Sequence, residues 1–247
     1  MEPRIRSRTY ARFRWSHRTA LHRRATRIYN AVMGVVPYTV KYGLGTRLRR
    51  RLPPYCFVGP GDVVVQVGAP KDTLAAGRQR AMHFARIVGR TGRVLAVEPD
   101  AASCEAARAV AAAHHVDQLI MHTGAAWSEP TTLVVHIDDR HPATNFTETR
   151  ADYSEADRRA FRRVEMAAEP LDDLADRYAL GPVTLVSITT NGAERDILGG
   201  MTRMIAAGLP YICVARTSEL ETFEPVLVEL GYRFVSHDDR GYTFHRV

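Results

Sequence analysis

The sequence predicts an α/β domain whose mostly parallel sheet is covered by helices on both faces. From Pro53 onward, short apolar runs alternate with longer segments of helical periodicity, which is the pattern of successive βαβ units. The first run, at 62–67, is dominated by valine, as expected for a strand buried on both faces. A glycine-containing turn then leads directly into a helical segment. With 247 residues, the chain is long enough to bury the core of such a domain.

The first half of the domain carries the strand ends at which this fold class usually binds ligands. We predict, in chain order, a strand at 62–67, a helix at 74–88, a strand at 93–97, a helix running to about 114, a strand at 118–122 and an extra strand at 133–137. Gly89 and Gly92 end the first helix. Asp100 or Ser103 can cap the second helix.

The second half begins with a polar stretch that shows no clear periodicity. We interpret 138–163 as an insertion or lid over the strand ends, with a helix starting at 153–157. The remaining elements are predicted as a short helix opening at 170, strands at 183–188 and 211–214, helices at 193–207 and 220–230, and a terminal hairpin of 232–236 and 242–246 with its turn at 238–241.

Charge divides the chain into two parts. Residues 1–52 contain thirteen arginines and one lysine against the single acid Glu2, a net charge of +13, whereas residues 53–247 carry −6. The composition changes near Pro53 and Pro54. We therefore predict a basic, partly helical or disordered arm at 1–52 and an α/β domain at 53–247.

The arm contains an apolar segment at 28–36 between two basic segments. This pattern suits a helix that lies on an anionic membrane surface, or an arm that contacts nucleic-acid phosphates or another acidic partner. The alternative is an extension whose apolar stretch packs back on the domain. Nucleic acid is the weaker partner, because the sequence shows neither helix-turn-helix nor zinc-finger spacing and no regular interleaving of aromatic and basic residues.

Cysteine usage and hydropathy exclude several other classes of protein. The three cysteines are odd in number and widely spaced, without a CxxC pair, so neither a disulfide framework nor a zinc ribbon is expected. The sequence has no apolar run of membrane-spanning length, and its N-terminus is rich in arginine where a signal peptide would be apolar. We expect a cytoplasmic protein, with the arm as its point of contact with a membrane.

Two features at neighbouring strand ends predict a nucleoside site. Gly68 allows the backbone to approach a ligand closely, and the helix predicted to start near Asp72 offers free N–H groups. Glu98, at the end of the second strand, stands where a carboxylate can accept both hydrogen bonds of a ribose diol. The alternative for the Gly68 loop is an ordinary structural turn.

Several motifs in this order resemble those of the FkbM-type S-adenosylmethionine-dependent methyltransferases, across about residues 60–240. The matching segments are VQVGA at 65–69, VEP at 97–99, LDDL at 171–174, ITTNGAE at 188–194 and ILGG at 197–200. The resemblance implies a Rossmann-like, seven-stranded class I methyltransferase sheet that ends in an antiparallel hairpin. It also implies S-adenosylmethionine as cofactor and methyl transfer to a hydroxyl oxygen, often on a sugar or a small metabolite.

Carried onto this sequence, the resemblance assigns a set of donor-binding residues: Gln66, Gly68, Ala69, Lys71, Asp72, Glu98 and Pro99. The chain departs from the family pattern at four positions, with Gln66 in place of Asp, Asp72 in place of Gly, and Thr189 and Asn191 in place of acids. Gln66 can still form hydrogen bonds with the amino-acid part of the donor, but it cannot pair with its ammonium group. Lys71 could pair with the donor carboxylate.

Methyl transfer from a sulfonium needs in-line geometry, and a base that removes the proton of the acceptor hydroxyl assists it. Glu194 is our candidate base and Asn191 our candidate for orienting the acceptor. Each also has a structural interpretation, Glu194 as a residue that suits a first helical turn and Asn191 as part of an Asn-Gly turn. His122 and His141 are weaker candidates.

Other site types and functions are less well supported. The side chains of His136, Asp138, Asp139 and His141 could hold a divalent ion, but Thr189 lacks the acid that a metal-assisted methyltransferase would use, and we predict no metal. The leading alternative function is a catalytically inactive module on the same fold that binds an anionic membrane or acidic partner through its arm. A nicotinamide-dependent oxidoreductase is disfavoured because the first loop lacks GxGxxG spacing.

Overall fold

The computed structural model describes residues 28–29, 31–139, 142–148, 158–215, 220–237 and 241–247. Four predicted features therefore lie wholly or largely outside the described residues: the basic segment before residue 28, His141, the helix start at 153–157 and the turn at 238–241.

The strands of the described chain form two sheets. In chain order they are β1 (Val63–Val67), β2 (Arg93–Glu98), β3 (Leu119–Thr123), β4 (Ala125–Ala126), β5 (Thr131–Ile137), β6 (Phe146–Thr147), β7 (Arg162–Glu169), β8 (Leu185–Ile188), β9 (Tyr211–Ala215), β10 (Tyr232–His237) and β11 (Gly241–Arg246). The α-helices are α1 (Tyr38–Arg49), α2 (Lys71–Ala75), α3 (Arg80–Val88), α4 (Ala101–Ala113), α5 (Leu171–Arg177), α6 (Glu194–Gly199), α7 (Thr202–Ala206) and α8 (Leu220–Glu229).

The main sheet has seven strands in the order β10-β11-β9-β8-β1-β2-β3. Its five strands from β9 to β3 run parallel, and β11 pairs antiparallel with both β9 and β10. This confirms the predicted Rossmann-like methyltransferase sheet with its terminal antiparallel hairpin. The chain crosses from β3 back to β8, so the carboxyl ends of β1, β2 and β8 meet where the winding direction reverses, the usual place for a ligand in such sheets.

Alternate residues of the central strands build the two halves of the core. Val64 and Val94 face the helices α3 and α4, whereas Val65 and Leu95 face the layer that contains α5, α6 and α7. All four side chains are fully buried. The run of valines thus forms a strand buried on both faces, as its composition predicted.

Two predicted helices are each divided in the structure. The helix predicted at 74–88 is α2 and α3, separated around Gly77, whose φ of +65° lies in the left-handed region that ends a helix. The helix predicted at 193–207 is α6 and α7, separated at Gly200 and Met201. A Cβ at Gly200 would lie 2.0 Å from the carbonyl oxygen of Trp127, so packing against a distant loop decides the break.

The strand β7 was missed by the sequence analysis, which assigned its first two residues to the polar insertion. It pairs antiparallel with β5 along seven residues and belongs to a second sheet of order β4-β7-β5-β6. Most of its side chains are exposed or half-buried. A strand with so few buried residues gives only a weak apolar signal, which is why 162–169 was not recognised.

The end of the basic arm packs on the domain. The side chains of Tyr38, Tyr42 and Thr46, one turn apart along α1, are buried, and Thr46 Oγ1 lies 2.9 Å from His83 Nδ1 of α3. The end of the arm is therefore in contact with α3 of the predicted domain. Among the described residues, none of the helices has the length and apolarity needed to cross a bilayer.

Candidate functional site

A cavity of about 460 Å³ lies at the carboxyl ends of β1, β2 and β8. This volume falls within the usual range for sites that hold small molecules and cofactors. Both Gly68 and Glu98 line it. The structure therefore brings the two residues on which the nucleoside prediction depends to one rim of the main sheet.

Gly68 lies at the contact between the loops that follow these three strands. Its N–H donates to the carbonyl of Val97 at 2.9 Å. Its φ is +89°, and a Cβ at this position would lie 2.4 Å from the carbonyl oxygen of Thr189. Glycine is required here because the backbone after β1 passes directly against the backbone after β8.

Glu98 is a buried carboxylate held by two backbone donors. Its Oε2 accepts a hydrogen bond from Ala69 N at 2.6 Å, and its Oε1 accepts one from Asp100 N at 3.0 Å. Burial raises the pKa of Glu98 to about 7, although the two backbone hydrogen bonds oppose the shift. Each oxygen retains capacity for a second hydrogen bond, so the side chain can accept two from a vicinal diol.

The remaining donor-binding predictions fall into two groups. Pro99 lines the cavity, whereas Ala69 does not: its N–H donates to Glu98, and its carbonyl accepts from Gln79 Nε2 at 2.8 Å. Lys71 and Asp72 do not line the cavity. Lys71 N donates to Ser103 Oγ at 2.9 Å, and Asp72 Oδ1 accepts from the N–H of the next residue. Both residues remain predictions as donor ligands, but these contacts hold α2 in place.

The departures at Gln66 and Thr189 are in direct contact with each other. Gln66 is fully buried and lies outside the cavity lining, and its Nε2 donates to Thr189 Oγ1 at 2.7 Å and to the carbonyls of Val67 and Gly68. Two acids at these positions would place buried like charges within hydrogen-bond distance of each other. The amide and the hydroxyl instead hold the ends of β1 and β8 together without charge.

Glu194 and Asn191, the predicted catalytic residues, have different surroundings. Glu194 is 1% exposed and does not line the cavity, and its Oε2 accepts from Gly192 N at 3.0 Å. Asn191 does line the cavity, and its Nδ2 donates to the carbonyls of Ala143 and Asn145 at 3.0 and 2.8 Å. Asn191 therefore fastens the 142–145 segment beside the cavity, and Glu194 stabilises the turn before its own helix.

The two candidate histidines within the described residues, His122 and His136, do not line the cavity. His122 Nδ1 lies 3.0 Å from Tyr178 Oη, away from the cavity, and burial lowers the pKa of this imidazole. His136 stacks on Phe146 with ring centroids 4.8 Å apart. Asp139 forms an exposed ion pair with Arg162 at 2.9 Å. No group of three metal-ligating side chains occurs among the described residues, which do not include His141.

Three cavity residues were not named as site residues by the sequence analysis, although Thr190 lies in its ITTNGAE segment and Asn145 in its predicted insertion. Arg80, only 2% exposed, lies 3.3 Å from Ser187 Oγ and 3.1 Å from Cys213 Sγ through its Nη1. Thr190 Oγ1 and Asn145 Nδ2 are buried atoms with no hydrogen-bond partner in the part of the chain that is described. Unsatisfied polar atoms at a cavity wall are typical of groups that bind a ligand. Residue type alone did not single them out, because arginine in a helix and polar residues in a loop are common.

The LDDL motif has a structural role in this chain. Asp172 accepts hydrogen bonds from the N–H groups of Arg203 and Met204 at 2.7 and 2.9 Å, through one carboxylate oxygen each. Asp172, a residue of α5, therefore satisfies two backbone N–H groups in the first turn of α7, where an α-helix leaves its N–H groups without partners of its own.

The arm helix supports the loop that follows α2. The carbonyls of residues 74, 75 and 76 accept hydrogen bonds from Tyr42 Oη (2.9 Å), Lys41 Nζ (3.0 Å) and Tyr29 Oη (3.1 Å) respectively. His83 Nε2 lies 3.1 Å from the next carbonyl, that of Gly77. Four successive carbonyls at the end of α2 are thus satisfied, three of them by the arm, directly after Thr73 at the cavity wall.

We therefore expect Tyr42→Phe to weaken binding of S-adenosylhomocysteine about fivefold, since the segment that the arm orders would have to be ordered by the ligand at a cost of about 1 kcal/mol. The free energy of unfolding should fall by about 1 kcal/mol, because the Leu74 carbonyl loses one of its two donors and keeps only the N–H of Gly77. Tyr232→Phe is the matched control: Tyr232 is equally buried and donates to Leu209 O at 2.7 Å, away from the cavity. Urea unfolding should show similar losses of stability in the two variants, and calorimetry should show reduced affinity in Tyr42→Phe alone. Equal affinities in the two variants would contradict a supporting role of the arm.

Comparison with known proteins identifies the family. Residues 66–244 match the model of the FkbM methyltransferase domain. A methyltransferase FkbM from Methylobacillus flagellatus KT is 15% identical with a TM-score of 0.49, over 90% of this chain and 59% of that chain. A methyltransferase from Geobacter sulfurreducens is 14% identical with a TM-score of 0.44, over 90% and 98% of the two chains. A fibrillarin from Aeropyrum pernix, solved with natively bound S-adenosyl-L-methionine, is 16% identical with a TM-score of 0.43, over 84% and 76%.

No curated protein matches the chain in sequence. The family model, in contrast, spans more than two thirds of the 247 residues and includes the cavity residues of β1, β2 and β8. The recognition made from the motifs is confirmed: the chain belongs to the FkbM methyltransferase family.

Proposed function

We propose that this protein transfers a methyl group from S-adenosylmethionine, the donor of its family, to a hydroxyl oxygen of a sugar or another small metabolite. The observation that carries the proposal is the Glu98 carboxylate, buried beside the Gly68 loop at the rim of a cavity of cofactor size. Burying an acid costs stability, so a buried acid beside a cavity is often a functional group. Here the carboxylate would accept two hydrogen bonds from a ribose.

The residues present fit this donor. Glu98 offers two acceptor positions for the ribose hydroxyls, and the apolar side chains of Val97, Pro99, Ala125 and Ala126 line the same cavity beside it, as an adenine ring requires. The guanidinium of Arg80 is the cation among the described lining residues and suits a carboxylate. When bound, the donor supplies a methyl group on a positively charged sulfur that leaves as a neutral thioether.

The rest of the cavity suits an uncharged acceptor. Its walls include the apolar side chains of Leu133, Val135 and Phe146, with Thr190 Oγ1 and Asn145 Nδ2 as unsatisfied polar atoms. A sugar or similar metabolite presents both apolar faces and hydroxyl groups to such a surface. Glu98 is the only carboxylate among the described lining residues, so we infer that this chain promotes the reaction mainly by positioning the acceptor and excluding water.

Titration calorimetry with S-adenosylmethionine and S-adenosylhomocysteine tests the donor site, with reduced nicotinamide dinucleotide as the control ligand. We expect micromolar binding of the first two and none of the third. Transfer of a labelled methyl group to a panel of sugars and hydroxyl-bearing metabolites then tests the reaction. Absence of donor binding at millimolar concentration would refute the proposal. Donor binding without transfer to any acceptor would favour the alternative, a non-catalytic module.

The affinity for the donor should depend on pH through Glu98. Its pKa of about 7 means that the carboxyl is mostly protonated at pH 6 and mostly ionised at pH 8. Two ribose hydroxyls donate best to the ionised form, so the association constant should rise about tenfold from pH 6 to pH 8 and level off above that.

Adenosine is the appropriate second ligand for this measurement, because it lacks the amino-acid part of the donor and its titrating ammonium group. Its affinity should show the same rise with pH, whereas 2′-deoxyadenosine, with one hydroxyl fewer, should show a smaller one. An affinity for adenosine that does not change with pH would mean that Glu98 does not hold the ribose.

A further inference from the structure

The outward face of α1 is apolar, although nothing in the described structure covers it. Val40, Leu44 and Leu48 follow one another at intervals of four residues and are 54%, 57% and 65% exposed. They lie on the side of the helix away from the buried Tyr38 and Tyr42. We call these three residues the apolar strip. A single exposed leucine is ordinary, but a continuous row along one helix face marks an interaction site.

Positive charge flanks the apolar strip at the C-terminal end of α1. Arg47, Arg50 and Arg51 are exposed at the same end of α1. Residues 28–52 contain no acidic side chain at all. The preceding helical turns also expose apolar side chains at helical spacing, Ile28 and Val32 being 57% and 54% exposed.

The inward contacts hold this helix in a fixed orientation. Tyr42 donates to Leu74 O, Tyr38 stacks on His114 with ring centroids 4.0 Å apart, and Arg86 lies over the Tyr38 ring. A helix fastened on one face cannot turn its other face toward the domain. The apolar strip is therefore presented outward by the folded protein.

We propose that α1 docks along its length on the surface of an anionic lipid bilayer, with the apolar strip at the boundary of the acyl chains and the arginines among the headgroups. An apolar face flanked by arginines is the pattern of helices that lie in the membrane interface. A nucleic acid would leave the leucines without an apolar partner. A second copy of the chain would bring two basic helices together without acids to balance them. The proposal does not depend on methyl transfer.

Sedimentation of the full-length protein with vesicles tests this. We expect binding to vesicles of phosphatidylcholine with phosphatidylglycerol, little binding to phosphatidylcholine alone, and a decrease with added salt. Leu44→Ser with Leu48→Ser should reduce the partition coefficient at least tenfold, since both leucines would lose their burial in the interface. Replacing Arg47, Arg50 and Arg51 with glutamine should reduce it about a hundredfold.

Matched controls use exposed residues of the same types in the domain. Val228→Ser with Leu230→Ser changes two exposed apolar residues at the end of α8, and Arg90, Arg195 and Arg233 are exposed arginines that can be replaced with glutamine together. Both control proteins should bind vesicles like the wild type. Thermal unfolding and S-adenosylhomocysteine binding should be unchanged in the strip variant, which excludes a folding defect as the cause.

Three results would overturn the proposal. The first is equal vesicle binding by the strip variant and the wild type, because charge elsewhere in the arm would then account for it. The second is tight binding to a short nucleic-acid duplex that the strip variant loses. The third is a dimer in analytical ultracentrifugation that the strip variant converts to a monomer, which would make a second copy the occupant of this face.

Discussion

Replacing Glu98 with glutamine is expected to weaken S-adenosylhomocysteine binding about a hundredfold at pH 8. Hydrogen bonds to an ionised carboxylate contribute roughly 1.5–3 kcal/mol each, and neutral ones about 1 kcal/mol, so the loss over two ribose hydroxyls is about 3 kcal/mol. The amide also cannot accept from both Ala69 N and Asp100 N, which the carboxylate does at 2.6 and 3.0 Å. One of these N–H groups would face the NH₂ group instead, and the loop would move.

Glu105→Gln is the matched control, because Glu105 is an exposed residue of α4 near the same edge of the sheet. Its affinity should equal that of the wild type. The tenfold rise of the association constant between pH 6 and pH 8 should also disappear in Glu98→Gln and persist in Glu105→Gln. If Glu98→Gln changed the affinity less than threefold, the ribose would have to bind elsewhere in the cavity.

Gly68→Ala is expected to lower the free energy of unfolding by about 2–5 kcal/mol and to abolish measurable donor binding. An alanine at a φ of +89° carries a backbone cost of about 1–2 kcal/mol. Its Cβ would also lie 2.4 Å from the carbonyl oxygen of Thr189, a contact that only a backbone shift can relieve, at a further cost of about 1–3 kcal/mol. That shift would separate the loops after β1 and β8, and the cavity lies between them.

Gly208→Ala separates the two contributions. Gly208 has a similar φ of +95°, but a Cβ there would meet nothing within 4 Å. We expect urea unfolding to show a loss of about 1–2 kcal/mol from the backbone strain alone and calorimetry to show unchanged donor affinity. Equal stability losses in the two variants would show that the approach of Thr189 to Gly68 does not matter.

The departures from the family pattern illustrate a contact that sequence comparison alone does not reveal. From the sequence alone, Gln66 and Thr189 are two positions at which the family pattern has an acid and this chain does not. In the structure they are hydrogen-bonded partners 2.7 Å apart, with Gln66 completely buried. Their separation of 123 positions conceals this in the sequence. The two residues thus join the ends of two strands, and the acid at 98, which we propose binds the ribose, is present in this chain.

The arm is a second case in which sequence and structure give different information. Its charge and its apolar segment are plain in the sequence, and both membrane contact and packing on the domain were open. The structure shows that α1 packs on the domain through Tyr38, Tyr42 and Thr46 and still presents an apolar strip outward. Periodicity alone did not show which face packs on the domain, because the tyrosines at 38 and 42 and the aliphatic residues at 40, 44 and 48 both recur at intervals of four.

The sequence by itself determined the order and type of most elements of the main sheet, the glycine at 68 and the acid at 98. These follow from local causes: buried strands need runs of β-branched residues, and parallel strands place consecutive loops at one edge. The tertiary structure decided which side chains reach the cavity. It placed Arg80, Asn145 and Thr190 at the wall and directed Glu194 to the backbone of its own turn. Those positions depend on contacts between residues far apart in the chain, which no local pattern specifies.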